Sequence, residues 1–402
     1  MRIALVSREY PPETAKGGLA TQTALKARAL ASFGHEVHVI SEAPGPEPRQ
    51  YVDGAVRVRR IPGYHHRLVM WSPVAEWLTY SAEVATALES LQRQAPFDII
   101  DFPEWACEGL VTLLNRPEQR RSAVVIQLHS PLVMFAHAMG WPPIDSEFYR
   151  FGTTMEATTL RLADGVYSSS ACATDWCARH YGLRREGVPT LHAGVDTDRF
   201  APRVEQKAAR PTIACVGRLA WNKGVVTLVD AACRLAVEYP DLQLRLIGAG
   251  DATVVDELRS RAAAAGCREL IDVAGQVGHE ELPDRLARAR VFAAPSIYEA
   301  GPGFACLEAM ACGLPVVACA GSGVAEVVRD GDTGVLVEPR DVDALAEALR
   351  RLFENPDAAA AMGQRARAWV VANAETRTSV RRIEAFYHQV IAGVTRSGEA
   401  RC

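Results

Sequence analysis

Short apolar runs alternate with longer amphipathic stretches along this chain, and the alternation comes in two series separated by a polar tract. The run Arg2–Ser7 (RIALVS) has the length and composition of a strand buried on both faces. A loop with Pro11, Pro12, Gly17 and Gly18 follows. Leu19–Phe33 then places Leu25, Ala29 and Leu30 at helical spacing and meets a stop at Gly34. Val37–Ile40 predicts a second strand. Strand, glycine loop, helix and strand make a βαβ unit, which implies parallel pairing through a right-handed crossover. Further buried strands are predicted at Asp98–Asp101, Ala123–Leu128 and Gly165–Ser169.

Between Thr190 and Arg210 the pattern dissolves into turn and polar residues, which marks a linker. The second series predicts strands at Thr212–Val216, Leu242–Ile247, Ile271–Val273, Val291–Ala294, Pro315–Ala318 and Val335–Val337. Helices intervene at Val225–Glu238 and Asp343–Phe353; the latter carries Leu345, Ala348, Leu349 and Leu352 on one face and ends at Asn355–Pro356. Two alternating series predict an α/β fold of two doubly wound, Rossmann-like domains facing a central cleft. The boundaries read as a first domain over 1–192, a linker over 193–210 and a second domain over 211–375. A C-terminal helix over about 376–394 is expected to pack back on the first domain, with a frayed tail over 395–402.

Composition narrows the function more than the fold. Lys and Arg number 44 against 48 Asp and Glu, and neither half of the chain is cationic. A nucleic-acid binder draws its affinity from neutralising phosphates, so that class is excluded. None of the ten cysteines forms a C-x-x-C pair, which points away from zinc and thioredoxin-like sites and toward a reducing, cytoplasmic location. Ser122–Ile144 carries no Asp, Glu, Lys or Arg, yet Gln127, His129, Pro131, His137 and Pro142–Pro143 break it. A buried strand running into a loop explains it better than a membrane span. The stretch Val56–Trp71 mixes Arg57, Arg59, Arg60 and Arg67 with Tyr64 and Trp71. It reads as a patch for peripheral membrane contact or an anionic acceptor, or equally as a strand followed by a solvated loop.

Ligands of open α/β sheets bind beyond the carboxyl ends of the strands. After the first strand, Gly17 and Gly18 open a helix; free helix-start amides attract anions, though two glycines alone read as a turn. Their spacing is not G-x-G-x-x-G, which counts against a nicotinamide cofactor. After Thr212–Val216 the loop GRLAWNKG holds Arg218 and Lys223, two cations able to neutralise a diphosphate. After Val291–Ala294 comes Glu299, then Gly303, Phe304 and Ala305 at a helix start, then Glu308 one turn in. The carboxylates suit sugar hydroxyls and the amides suit sugar or phosphate oxygens, while a helix-start Glu308 also satisfies the macrodipole. His129 ends the strand Ala123–Leu128.

These blocks resemble the retaining glycosyltransferases of family 4, with the GT-B fold. The likeness runs from IALVSREYPP and the glycine pair, through LHAGVDTDRF and VGRLAWNKG, to YEAGPGFACLEAMACGLPVVA and DGDTGVLVEPRDVDALAEAL. It implies that Gly17 and Gly18 lie near the donor phosphates and that Arg218 and Lys223 grip the diphosphate. It further implies that Glu299 contacts the donor sugar, Glu308 the ribose, and His129 the sugar's hydroxymethyl group; a nucleotide sugar held this way is expected to place its base near the Gln276–Val277–Gly278 loop. The chain departs from the family in having eight residues between Glu299 and Glu308 where seven are usual, and His192–Ala193 where Pro-Asn is common.

The expected function is transfer of a hexosyl or N-acetylhexosaminyl group from a nucleoside diphosphate sugar, with UDP expected on frequency, to an acceptor hydroxyl of a small molecule or saccharide. Retention, independence of metal and the lack of any resident cofactor follow from the resemblance. The alternatives weighed are a non-catalytic sugar-nucleotide sensor, which would lack the phosphate-gripping pair, and a GT-B-type epimerase.

Overall fold

The computed structural model describes residues 1–14, 17–63, 72–117, 122–192, 194–203, 208 and 210–399, with side chains through 395. The chain divides into two units, residues 1–194 together with everything from Thr376 onward, and Val195–Glu375.

In the first unit, seven strands follow the chain as β1 (Arg2–Val6), β2 (Glu36–Ala43), β3 (Arg49–Asp53), β4 (Val56–Pro62), β5 (Ile99–Pro103), β6 (Ala123–Leu128) and β7 (Gly165–Ser168). Their order in the sheet is β3-β4-β2-β1-β5-β6-β7, parallel except for β3, which runs antiparallel to β4. The helices are α1 (Gly18–Ser32), α2 (Pro73–Gln92), α3 (Leu110–Leu114), α4 (Leu132–Met139), α5 (Glu147–Leu162) and α6 (Ala171–Tyr181). Caps set several of their starts: Ser72 accepts from the Ala75 amide before Pro73 opens α2, and Ser170 accepts from the Ala173 amide.

The second unit holds β8 (Thr212–Val216), β9 (Gln243–Ile247), β10 (Ile271–Gly275), β11 (Val291–Ala294), β12 (Val316–Cys319) and β13 (Gly334–Val337). All pair in parallel in the order β10-β9-β8-β11-β12-β13, the doubly wound order in which the progression of strands across the sheet reverses between β8 and β11. Its helices are α7 (Val225–Leu235), α8 (Ala252–Ala264), α9 (Leu282–Ala287), α10 (Phe304–Ala311), α11 (Val342–Glu354) and α12 (Pro356–Asn373). The stripe Leu345, Ala348, Leu349 and Leu352 of α11 enters the core beside Leu228, Leu244 and Val291. Each buried leucine of the stripe contributes about 1.5–3 kcal/mol.

The last helix, α13 (Thr376–Glu399), belongs to the first unit. Val380, Ile383, Phe386 and Tyr387 pack with Ile3, Leu5 and Val125, and Glu384 accepts from His35 at 2.7 Å. Tyr387 also joins a buried polar cluster. Lys26 Nζ donates to Asp101 Oδ2 at 2.6 Å and Gln127 Oε1 at 2.8 Å, while the Tyr167 and Tyr387 hydroxyls donate to the same Asp101 oxygen.

Three expectations need correction, and one strand carries no signal in the sequence. The tail is helical through Glu399: the helix carries through Gly393 and Gly398, with no proline after Thr376 to stop it. The linker is shorter than 193–210: Val195 and Phe200 are buried in the second core, and the Val195 amide donates to the Ala374 carbonyl. A strand at Arg49–Asp53 was not foreseen, because RQYVD is a mostly polar edge strand with no apolar run. Of the two readings of Val56–Trp71 the strand is present, as β4, and the described arginines form no open basic patch. Arg60 is fully buried, donating to Thr14 Oγ1 and the Glu42 and Tyr10 carbonyls at 2.8–2.9 Å, and Arg57 pairs with Glu36. Tyr64, Arg67 and Trp71 lie outside the described residues, as does Ala193. Among the described residues, no helix is long and apolar enough to cross a membrane.

Candidate active site

The order of the second sheet reverses between β8 and β11, and two loops leave its carboxyl edge there, Gly217–Gly224 and Pro295–Gly303. The backbone binds them together: the Ile297 amide donates to the Asn222 carbonyl at 2.9 Å. Gly224 has φ +67, and a Cβ there would stand 1.9 Å from the Pro295 carbonyl oxygen. Only glycine allows that approach. A third segment braces the same place, since the Gly323 amide donates to the Glu299 carbonyl at 2.8 Å.

This scaffold brings Lys223 to Glu299, Nζ to Oε2 at 2.5 Å, with each side chain about a quarter exposed. Arg218, on the same loop as Lys223, is exposed and makes no ion pair with a described residue. Gly303, at φ +70, caps α10 without a side-chain hydrogen bond. The Phe304 and Ala305 amides fall in the first turn, where a helix offers no internal acceptor, so they present free N–H groups and the positive end of the dipole. Glu308 stands one turn further, 3% exposed. Burial raises its pKa, and the hydrogen bond from His279, then the charges of His279 and Arg199, oppose that rise. Val277, partly buried against the core, lies in the loop before His279.

The remaining candidates belong to the first unit. Gly17 caps α1 and Gly18 is its first residue; both are exposed. Gly17 has the extended φ of −168, and a Cβ would meet nothing nearer than Glu9 Oε2 at 3.9 Å. The fold itself therefore does not demand glycine at this position. His129 follows β6, and its amide donates to Glu104 Oε2 at 2.7 Å, while the Ser130 amide donates to Oε1. Burial, and then the charge of Lys26, pull the imidazole pKa down to about 3. His129 is consequently a neutral hydrogen-bonding group and not a store of a proton.

The second-unit set combines two cations, free helix-start amides and two carboxylates around one strand-order reversal. That chemistry suits an anionic diphosphate joined to hydroxyl-rich groups. Among the described residues, no three His, Cys, Asp or Glu side chains converge as a metal site. Three residues escaped the sequence reading. His279 is a single histidine in the polar stretch GHEELPD, yet it follows the loop expected to meet the base. Glu104 and Glu108 follow β5, at the reversal point of the first sheet, and that position was the available signal.

The comparisons with known proteins agree with this chemistry. Glycosyltransferase Family 4 matches residues 16–199, and glycosyl transferases group 1 matches residues 196–369. A GDP-mannose-dependent α-(1-6)-phosphatidylinositol monomannoside mannosyltransferase of Mycobacterium tuberculosis (strain CDC 1551) is 35% identical over 92% of this chain and 94% of its own length. The protein of the same description from Mycolicibacterium smegmatis is 38% identical over 47% of this chain, a span that covers about half (53%) of that relative. The solved sucrose-phosphate synthase of Thermosynechococcus elongatus superposes with a TM-score of 0.82 at 25% identity, covering 98% of this chain and 99% of that one. The chain belongs to the family 4, group 1 glycosyltransferases, enzymes of GT-B type.

Proposed function

We propose that this glycosyltransferase moves a mannosyl group from GDP-mannose, with retention of configuration, to a hydroxyl of a mannoside or cyclitol acceptor. The observation that carries the chemistry is the Lys223–Glu299 pair, 2.5 Å apart beside the free amides of α10. In the unliganded protein the two charges neutralise each other. A bound donor exchanges that partner: Lys223 and Arg218 turn to the diphosphate, and Glu299 accepts from the sugar hydroxyls. The cations then stabilise negative charge growing on the departing diphosphate. No metal and no resident cofactor enters this scheme. Nor does it assign a protein nucleophile, so the acceptor attacks on the face the diphosphate leaves, and a leaving phosphate oxygen takes the acceptor proton.

GDP-mannose replaces the UDP donor expected on frequency alone, because the two mannosyltransferase relatives are both described as GDP-mannose-dependent. Thermal-shift titration with GDP-mannose, UDP-glucose and ADP-glucose tests the choice, since stabilisation grows as RT ln(1 + [L]/Kd) for the ligand that binds. GDP-mannose is expected to give the largest shift and to be the donor consumed with a mannoside acceptor. A larger shift and faster turnover with either other donor would overturn the base and sugar assignment while leaving the phosphate chemistry standing.

A further inference from the structure

Glu308 and His279 make a pair whose second member no step of the proposed reaction uses. An isolated carboxylate buried as deeply as Glu308 carries a heavy desolvation cost. His279 relieves it: Nε2 lies 2.5 Å from Oε1, the short separation of a charge-assisted hydrogen bond in which Nε2–H donates. The imidazole is itself held from behind. The Phe200 ring centre lies 5.2 Å from it at an angle of 47°, and Phe200 is buried, with its carbonyl accepting from Arg367 Nη1 at 2.9 Å. Oε2 of Glu308, by contrast, has no hydrogen-bond partner among the described residues. A buried carboxylate with one oxygen filled and one open is set to receive a hydroxyl donor.

We propose that His279 is a positioning residue for the nucleotide, occupying Oε1 of Glu308 and thereby fixing Oε2 as the acceptor for the ribose diol. This rests on the reading of the second unit as a nucleoside diphosphate site. Arg199, whose charge also acts on Glu308, adds a positive field without a hydrogen bond to it. A side chain that merely filled space beside Phe200 would affect every ligand equally. A side chain that orients Glu308 affects only ligands carrying ribose hydroxyls.

The test is calorimetric titration of GDP and 2′,3′-dideoxy-GDP into the full chain, comparing wild type, His279→Ala, His279→Gln and Glu308→Gln. Loss of the diol should weaken wild-type binding by about 10- to 100-fold, the range for hydrogen bonds to a charged group. His279→Ala should shrink that discrimination to about threefold or less, His279→Gln should restore most of it through its amide donor, and adding His279→Ala to Glu308→Gln should cost nothing further. Full discrimination retained in His279→Ala, or loss of affinity for both ligands alike in His279→Ala and His279→Gln, overturns the role of His279 alone. Wild-type protein that binds neither GDP nor UDP overturns the nucleotide reading together with it.

Discussion

In the first unit Lys26, His38, Arg60, Asp101, Glu104, Glu108 and Glu156 are all buried; in the second, among the described residues, Glu308 is the one Asp, Glu, Lys, Arg or His side chain that is. Yet the parallel strands of both sheets follow the same doubly wound order, with β3 an antiparallel addition to the first. Topology therefore does not decide where charge is buried. In the first unit the buried charges tie elements together. Lys26 and Asp101 link α1, β5 and α13, and Arg60 holds the loop after β1 against β4. Glu104 holds the His129–Ser130 turn, and Glu156 accepts from the Leu132 amide and the Tyr181 hydroxyl. In the second unit the core is apolar, and Arg218, Lys223 and Glu299 stand on the two loops that leave the sheet at β8 and β11. Incomplete hydrogen bonding does not by itself separate the two kinds of charge, since Asp101 Oδ1 and Glu108 Oε2 are also without a hydrogen-bond partner among the described residues; the second unit differs in placing its cations and carboxylates beside free helix-start amides at the strand-order reversal.

The contrast can be broken most forcefully at Lys26. Lys26→Met leaves Asp101 buried beside two hydroxyls and no cation, a change that costs about 3–5 kcal/mol when one partner of a buried pair is removed. Hydrogen exchange should accelerate at β1, β5 and β6 and stay at wild-type rates at β8, β9 and β11. Equal acceleration in both units would show that Lys26 does not stabilise the first unit in particular.

A smaller effect comes from pH. Burial raises Glu104 to about 7 and Glu108 to about 8, from the usual 4.5. The folded chain then holds protons that the unfolded chain has released, so this stability is full below about 4.5 and is lost as pH rises through 7 and 8. His129, depressed to about 3, acts with the opposite sign, but only below about 6.5. Between pH 6.5 and 8.5 the first unit should lose on the order of 2 kcal/mol, read as falling amide protection in β1 and β5. The second unit, with Glu308 alone, should change less. A double Glu104→Gln, Glu108→Gln variant should reduce the slope, leaving the share of Glu156, whose pKa burial also raises; an unchanged slope would assign it to other groups.

The apolar strands were legible in the sequence because burial on both faces leaves an unbroken hydrophobic run; β6, β8 and β11 fall at the positions that run predicts. The glycine loops were legible because chemistry-bearing residues follow such runs directly. The edge strand Arg49–Asp53 was not, since one exposed face and a polar composition leave no periodic signal. The buried charges of the first unit were also hidden: Lys26 sits in a helix and Asp101 at the end of an apolar run, and only folding shows that they meet. His279 was missed for a related reason. Its partner, Glu308, lies 29 residues away, and nothing local in GHEELPD distinguishes a histidine that orients a carboxylate from one on a solvated turn.

The central claim is that Lys223 stabilises charge on a departing diphosphate. The most direct test is the single-turnover rate of mannosyl transfer from saturating GDP-mannose in wild type and Lys223→Ala. The rate should fall about 10²-fold or more, with hydrogen exchange in β8 and β11 unchanged. A variant rate close to wild type at saturating donor would contradict the claim and remove Lys223 from the chemistry.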